Sequence, residues 1–171
     1  VIRLIAKPYF VDYRQLQYVT AFGKQLDTDE YQHHAGRKQL DVCKLRWHYT
    51  SKQYAEKGIG RWAVIEKESN LLIGWSGLKL IDYEINGHQN FYEIGYRFLP
   101  EFWGKGYATE SVIPFVKMGF SEFKAEKLYA YADVNNLASL NVLKKIGFKE
   151  KGTFIDDTDG VECIWYEISR E

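Results

Sequence analysis

The hydrophobic and polar positions of the chain follow two periodicities, which together predict a sheet of about seven strands flanked by about four helices. Short apolar runs bounded by turn residues predict strands, and apolar residues at helical spacing predict helices. The predicted strands comprise residues 2–6, 62–66, 71–81, 91–99, 127–134, 148–154 and 161–169. The predicted helices comprise residues 12–26, 36–57, 105–120 and 136–146.

Turn residues connect several of the predicted strands directly. Hairpins or tight turns are predicted at Ser69-Asn70, Asn86-Gly87 and Asp159-Gly160. The antiparallel run is followed by a strand–helix–strand crossover, so a mixed, mostly antiparallel sheet is expected. The sequence therefore predicts a single α/β domain of the α+β type over residues 1–171. Pro114 inside the third helix is expected to kink it, because proline deletes a backbone hydrogen bond.

The composition is that of a globular protein without overall charge. Of the 171 residues, 46% are apolar and 27% are charged, and a chain of this length buries enough surface for a core. Lys and Arg together number 23, as do Asp and Glu, so net charge gives no attraction to nucleic acid or anionic membranes. The aromatic share of 16% is explained by a tyrosine-rich core or, alternatively, by an aromatic-lined substrate cleft.

Neither a membrane segment nor a metal site is predicted. No apolar run approaches the ~20 residues of a membrane span, and no secretory signal is expected before the domain. Cys43 and Cys163 lack metal-ligand spacing and are expected to be free thiols of a reducing compartment, which favours the cytoplasm. His33-His34 has no third ligand in view and is expected to lie in a solvated loop.

A glycine-containing turn at residues 100–109 is the most informative local segment. It links a predicted strand to a predicted helix, and Gly104 and Gly106 remove side chains where the backbone turns. Free N–H groups at the start of the helix can then point at an anion, helped by the helix dipole, which predicts pyrophosphate binding. The same pattern also arises simply because tight turns need glycine.

The same segment does not fit two other phosphate-binding motifs. The GxxxxGK[ST] spacing of a P-loop is absent. A dinucleotide fingerprint would need a third glycine where Thr109 stands, and its strand would begin a βαβ unit, whereas this strand belongs to an antiparallel run.

Four segments occur along the chain in a characteristic order: 92–96 (YEIGY), 103–110 (WGKGYATE), 136–139 (NLAS) and 145–148 (KIGF). In this order they resemble the GNAT superfamily of N-acetyltransferases, and within it the Rim-type ribosomal-protein alanine N-acetyltransferases. The resemblance covers nearly the whole chain. It implies a single-domain GNAT fold that uses acetyl-CoA as a co-substrate.

The resemblance also implies where the cofactor lies. The loop of residues 103–109 would cradle its pyrophosphate, and the end of the strand at Phe98 and Leu99 would hydrogen-bond the pantetheine arm. The helix starting at Asn136 would lie near the thiol, so the thioester is expected between the strands ending at Leu99 and Val134. The cofactor-binding residues so predicted are Phe98, Leu99, Trp103, Gly104, Lys105, Gly106, Tyr107, Ala108, Thr109, Asn136 and Ser139.

Two positions depart from the family pattern. Trp103 stands where glutamine or arginine is usual, a change compatible with contacts made mostly by the backbone. Leu143 stands seven residues after Asn136, where a tyrosine near the thiolate is common. The usual proton donor to the thiol is therefore missing.

The amine chemistry requires a base. At pH 7 a lysine amine with a pKa of about 10.4 faces roughly 3.4 units, about 4.6 kcal/mol, of deprotonation, whereas an α-amine faces about 1 unit. In the family a base, often acting through water, meets this cost. Glu93 is predicted to be that base, because it lies in the middle of a largely apolar and aromatic strand, where a carboxylate is paired, hydrated or functional.

The competing interpretation of Glu93 is a structural ion pair. Arg97 shares its strand face but lies roughly 13 Å along the strand, too far for a ready pair. A partner from another strand stays possible. Gly95 is expected to leave space beside Glu93 for substrate or water.

Three further positions have two interpretations each. Ser139 is the second predicted catalytic residue, which would bond the pantetheine or protonate the thiolate through water; capping or packing is the alternative. Asn136 would hydrogen-bond CoA or substrate, and it also suits a helix N-cap. Lys144 and Lys145 either approach the nucleotide phosphates or belong to solvated surface.

These inferences predict an acetyl-CoA-dependent N-acetyltransferase that acts by direct transfer in a ternary complex. The acceptor is a primary amine, either a protein N-terminal α-amine or a small-molecule amine. Two alternatives stay open: a catalytically silent CoA-binding or sensor domain, and the same fold with a different acyl donor. The chain is expected to be a monomer or homodimer that needs no metal, nucleic acid or membrane.

Overall fold

Seven strands form one sheet in the computed structural model, which describes residues 1–5 and 53–170. The strands are β1 (Ile2–Ile5), β2 (Arg61–Glu66), β3 (Leu72–Ile81), β4 (Phe91–Phe98), β5 (Lys127–Asp133), β6 (Lys149–Ile155) and β7 (Glu162–Ser169). Their spatial order is β1-β2-β3-β4-β5-β7-β6. All neighbours are antiparallel except β4 and β5, which are parallel. The predicted mixed, mostly antiparallel sheet is therefore confirmed.

Two longer helices follow β4 and β5, as the predicted order of elements requires. They are α1 (Tyr107–Ser121) and α2 (Leu137–Ile146), and a short 3-10 helix (Pro100–Phe102) precedes α1. Residues 53–57 are also helical. The predicted helix over 12–26 and most of the one over 36–57 lie outside the described residues. Helix α1 is continuous through Pro114, which lies on its exposed side.

The predicted turns have the backbone that their residues favour. Asn86 and Gly87 both have positive φ values, 50° and 71°, and the flanking Ile85 and His88 exchange backbone hydrogen bonds of 2.9 Å. Two successive positive φ values are those of a type I′ turn, whose twist matches that of the strands it joins. Asn70 and Gly160 also have positive φ, at 56° and 75°. These turns explain why the hairpins could be predicted from local sequence.

The two faces of the sheet carry different contents. Helices α1 and α2 cover one face, where Val112, Phe115 and Leu143 pack against alternate residues of the strands such as Ile94. The opposite face carries an aromatic cluster that contains Phe91, Tyr129, Tyr131, Phe154 and Trp165. Neighbouring residues of one strand therefore point to different environments.

Strands β4 and β5 pair only near their beginnings. The parallel ladder is recorded at a single pair, Glu93 with Tyr129. Beyond that pair the two strands separate toward their C-terminal ends, and a pocket opens between them. This gap lies where the family resemblance implies that the thioester binds.

Candidate active site

The pocket between β4 and β5 reaches both faces of the sheet and encloses about 380 Å³ of space open to solvent. Alternate residues of β4 point to opposite faces, so residues of both parities can line it only if it passes between the strands. The aromatic-cluster side is lined by Arg61, Trp75, Glu93, Gly95 and Tyr131. The helical side is lined by Ile94, Tyr96, Ala130, Ser139 and Leu143. Both predicted catalytic residues, Glu93 and Ser139, are thus brought into one pocket from opposite faces.

Glu93 is held by an arginine from another strand. The residue is 7% exposed, and both carboxylate oxygens accept hydrogen bonds from Nη2 of Arg61, at 3.0 and 2.9 Å. The guanidinium also lies over the ring of Trp75, with Cζ 4.4 Å from the centroid. Such stacking adds a cation–π attraction and fixes the plane of the group. A substrate amine or water at Glu93 must therefore share the carboxylate with Arg61.

The space expected beside Gly95 is partly filled by Arg61, although Gly95 and Glu93 both line the open pocket. A Cβ atom at Gly95 would lie 2.5 Å from Nη2 of Arg61. The absence of a side chain at Gly95 lets the guanidinium lie across β4 and reach Glu93. The glycine therefore makes room for a protein side chain at this point.

Ser139 is joined to a tyrosine that the sequence analysis gave no role. Its hydroxyl donates to the phenol oxygen of Tyr96 at 3.0 Å, and the Tyr96 hydroxyl donates to the backbone carbonyl of Ser139 at 3.0 Å. Burial raises the pKa of Tyr96 to about 12, and the hydrogen bond from Ser139 partly opposes that rise. Leu143 is 1% exposed and belongs to the core. Because it is a leucine, it supplies no titratable group to the pocket.

Asn136 caps helix α2, as one of its two sequence interpretations required. Its Oδ1 accepts a 3.1 Å hydrogen bond from the backbone N–H of Ser139. This bond satisfies one of the amides that a helix start leaves unpaired. Lys144 lies on the surface, 3.5 Å from Glu150, and Lys145 is exposed. Both lysines therefore fit the solvated-surface interpretation.

Two substitutions at Asn136 separate its capping role from a cofactor contact. Asn136→Ala is expected to lower the free energy of unfolding by about 1 kcal/mol, whereas Asn136→Ser keeps a capping oxygen and most of that stability. Acetyl-CoA affinity, measured by calorimetry, is expected to fall in both variants, because the shorter serine cannot replace the amide at the cofactor. Unchanged affinity in both would leave Asn136 as a cap alone.

The glycine turn before α1 presents an open backbone. Gly104 and Gly106 have φ values of 72° and 82°, and a Cβ built on either one would meet no atom within 4 Å beyond its immediate chain neighbours. Gly106 is the N-cap of α1, and no side chain caps the helix. The first amides of α1 therefore face an exposed turn, the arrangement in which helix N-termini bind anions. Helix α1 starts two residues later than predicted, because Gly106 itself is left-handed.

A tyrosine and a glutamate fix the start of α1 to the sheet. The Tyr107 hydroxyl donates a short hydrogen bond to Glu66, the last residue of β2. Glu66 also accepts a hydrogen bond from the Ser69 hydroxyl. Both bonds lower the pKa of the Glu66 carboxyl, and the bond from Ser69 has the larger effect. The turn of residues 103–106 is thus anchored on its helical side while its own residues stay exposed.

Backbone groups at the end of β4 make more hydrogen bonds within the protein than the resemblance implied. The Leu99 N–H donates to Ile73 at 3.0 Å, and its carbonyl accepts from Phe102 at 2.9 Å. The Phe98 carbonyl accepts from the indole N–H of Trp103 at 2.7 Å. Because Leu99 bonds toward β3, the N–H and carbonyl of Phe98 point toward the gap. The Phe98 N–H is therefore the better candidate for a pantetheine contact, and Leu99 is the weaker one.

The remaining predicted cofactor residues surround this turn. The Lys105 amine lies 4.9 Å from the ring centroid of Phe102, and Trp103 is 57% exposed. Ala108 and Thr109 are half-buried in the first turn of α1. The segment thus offers backbone amides, an exposed indole and one lysine to an anionic ligand.

Within residues 1–5 and 53–170, no three His, Cys, Asp or Glu side chains are grouped to hold a metal ion. None of the helices in that part of the chain has the length and apolar character needed to cross a bilayer. Cys163 is a buried free thiol whose pKa is raised to about 12, mainly by burial. His33-His34 and Cys43 lie outside the described residues.

Sequence reasoning missed Arg61, Trp75, Tyr96 and Tyr131, all of which line the pocket. Two of them carried a usable signal. Tyr96 belongs to the same YEIGY segment that identified Glu93, and Arg61 is a charged residue directly before the apolar run of residues 62–65. Their proximity depends on how the strands are aligned in the sheet, which the local sequence does not reveal.

Comparison with known proteins gives the family. Residues 6–149 match the family model described as an acetyltransferase (GNAT) domain. An uncharacterised N-acetyltransferase of Bacillus licheniformis is 33% identical over 96 residues, which are 56% of this chain and 52% of that protein. The chain thus matches about half the length of that curated relative.

Solved structures agree on the fold. A candidate GNAT-family acetyltransferase from Bordetella pertussis has a TM-score of 0.78 at 18% identity, over 98% of this chain and 96% of that one. The ribosomal-protein-S5-alanine acetyltransferase of Vibrio fischeri has a TM-score of 0.69 at 16% identity, over 99% and 92%. An aminoglycoside acetyltransferase in complex with coenzyme A has a TM-score of 0.69 at 16% identity, over 99% and 94%. The family match over most of the chain and this shared fold show that the protein belongs to the GNAT acetyltransferases.

Proposed function

We propose that the protein transfers an acetyl group from acetyl-CoA to a primary amine, directly and within a ternary complex. The observation that carries this proposal is the pocket between β4 and β5, which is lined by Glu93 on one face of the sheet and by Ser139 on the other. A donor bound along α2 and an acceptor approaching from the aromatic face would meet in that gap. One of the solved structures with this fold contains coenzyme A, which supports the choice of donor.

The residues divide the work by position. The uncapped start of α1 with Gly104 and Gly106 binds the pyrophosphate, and the Phe98 N–H bonds the pantetheine arm. Asn136 and Ser139 lie at the thiol end of the same groove. Glu93 takes the proton from the acceptor ammonium, either directly or through water, so that a neutral amine attacks.

The acceptor is a protein N-terminal α-amine or a small-molecule amine. An α-amine needs less help from a base than a lysine does. That suits a Glu93 whose oxygens are shared with Arg61. Relatives of the same fold include proteins named for a ribosomal protein and for aminoglycosides, so both acceptor classes belong in the test.

The proposal extends to the whole of residues 1–171 as one catalytic domain, since strands from both ends of the sequence belong to the same sheet. A buried free thiol at Cys163 is compatible with a reducing cytoplasm.

An acceptor screen tests the proposed function. The protein is mixed with acetyl-CoA and one amine at a time: a peptide with a free N-terminal alanine, the same peptide N-terminally blocked with a free lysine, a polyamine and an aminoglycoside. Release of free thiol is followed together with the mass of the acetylated amine. Transfer to at least one amine is expected. If calorimetry shows acetyl-CoA binding but no amine is acetylated, the silent binding domain is the correct interpretation. A second donor series with longer acyl groups checks the choice of acetyl.

A further inference from the structure

The pocket contains a phenol that can supply the proton for the thiolate, although Leu143 stands where the family commonly has a tyrosine for this purpose. When an amine displaces the thioester, a C–N bond forms and the C–S bond breaks, so the sulfur leaves as a thiolate that must gain a proton. We propose that Tyr96 donates this proton and that Ser139 supports it. The proposal rests on the proposed acetyl transfer.

The geometry places Tyr96 on the side of the pocket where the thiol end is expected. Tyr96 lies on β4 and Ser139 on the first turn of α2, and both line the gap between the strands. Each of them contributes a hydroxyl, and the two hydroxyls are joined at 3.0 Å. The leucine at the usual tyrosine position lines the same pocket, so the phenol enters one site from a different element.

The direction of the hydrogen bonds fits a donor. The Ser139 hydroxyl donates to the Tyr96 oxygen, while the Tyr96 hydroxyl donates to the Ser139 carbonyl. When sulfur becomes negative, the Tyr96 proton can turn from that carbonyl to the thiolate. The bond from Ser139 then stabilises the oxygen that is left with negative charge, because hydrogen bonding to a charged form favours it.

The protonation state also fits. Burial raises the pKa of Tyr96 to about 12, so the phenol stays protonated at neutral pH, and the Ser139 hydrogen bond lowers it in part. Burial raises the pKa of a thiol as well, so the pKa values of the phenol and the thiol differ less than burial of the phenol alone would make them. The acceptor ammonium loses two protons in each turnover. The first leaves through Glu93 before attack, and the second, lost by the nitrogen after the C–N bond has formed, replaces the proton that the phenol gave to sulfur.

A second phenol in the pocket is a poorer candidate. Tyr131 lies on the opposite face of the sheet, on the side of Glu93. Burial raises its pKa, and the negative charges of Glu93 and Asp156 raise it further. Tyr131→Phe is therefore the comparison for Tyr96→Phe.

Leaving-group chemistry distinguishes a proton donor from a structural residue. Acetyl-CoA, whose thiolate needs a proton, is compared with an S-aryl thioacetate. The aryl thiol is more acidic, so its thiolate leaves without being protonated. Tyr96→Phe is expected to lower single-turnover transfer from acetyl-CoA by about 10²-fold, the lower end for general acid catalysis. With the aryl thioester the loss should shrink to about threefold or less. Ser139→Ala should show the same dependence on leaving group with a smaller loss.

Controls separate the ways in which the proposal can fail. Tyr92→Phe removes a hydroxyl from the same strand face, where the ring packs on Phe123, and should leave both donors unaffected. Equal losses with both donors in Tyr96→Phe, or the leaving-group effect in Tyr131→Phe instead, would overturn the assignment. If Tyr96→Phe does not fold, the leaving-group dependence of Ser139→Ala decides. An inactive wild-type protein would contradict the proposed function and not this assignment alone.

Discussion

Replacing Glu93 with glutamine is expected to lower kcat/KM by about 10²–10⁴-fold at pH 7, the usual range for a general base. The fold and the acetyl-CoA affinity should be retained, because glutamine keeps the shape of the side chain and an oxygen for Arg61. The loss should shrink as pH rises toward the pKa of the acceptor amine, since the amine then deprotonates without help. Steady-state kinetics across pH, with a lysine-type and an α-amine acceptor compared, measure both effects.

The pairing of Glu93 with Arg61 provides the control. Arg61→Gln removes the guanidinium that holds both carboxylate oxygens and leaves a nearly buried carboxylate without its partner. Breaking such a pair destabilises a protein, so the free energy of unfolding should fall in this variant. Its activity, per folded molecule, should fall less than that of Glu93→Gln.

The two variants together decide between a base and a structural pair. If the pair is only structural, each single variant should lose activity equally, and the double variant should lose no more than either. If Glu93 is the base, Glu93→Gln and the double variant should share the larger loss. Full activity of Glu93→Gln at pH 7 would assign proton removal to another residue or to bulk water.

The order of strands and helices could be predicted because it depends on local signals. Asn86-Gly87 suits a turn with two positive φ values, and Gly147, with a φ of 102°, ends α2 where the sequence has its C-terminal glycine. Such residues act through their own backbone, so they can be interpreted without a partner. The element boundaries are less certain because a left-handed glycine such as Gly106 can end a turn as well as begin a helix.

The interior of the site could be predicted only in part. Glu93 and Ser139 were found because the motifs that carry them are local segments, and the structure places both in one pocket. Arg61 lies 32 residues before Glu93, and Tyr96 lies 43 residues before Ser139. These pairs depend on the register of β2, β3 and β4 and on how α2 lies over the sheet. The sequence could place Arg97 too far along the strand to pair readily with Glu93 and left a partner from another strand possible, but it could not identify that partner as Arg61.

The second large effect concerns the glycine turn. Gly106→Val is expected to weaken acetyl-CoA binding at least tenfold, a loss of about 1.4 kcal/mol. The added side chain would enter the open space above the turn, where it would meet no atom within 4 Å beyond its chain neighbours, and would meet the phosphates there. Calorimetry with the folded variant measures the loss.

Backbone strain must be separated from the loss of a phosphate site. Gly106 has a φ of 82°, a conformation that costs a β-branched residue about 1–2 kcal/mol. Gly87→Val is the matched control, because Gly87 has a φ of 71° and equally open surroundings in the turn between β3 and β4. Both variants should lose stability, but only Gly106→Val should lose acetyl-CoA affinity.

A truncated donor identifies the part of the cofactor that the turn binds. Acetyl-pantetheine carries the thioester and the pantetheine arm but no pyrophosphate. If the amides at the start of α1 bind the pyrophosphate, Gly106→Val should weaken acetyl-CoA and leave the weaker binding of acetyl-pantetheine unchanged. Equal weakening of both donors would mean that the substitution distorts the groove between β4 and β5. Unchanged affinity for acetyl-CoA in the folded variant would show that the pyrophosphate binds elsewhere.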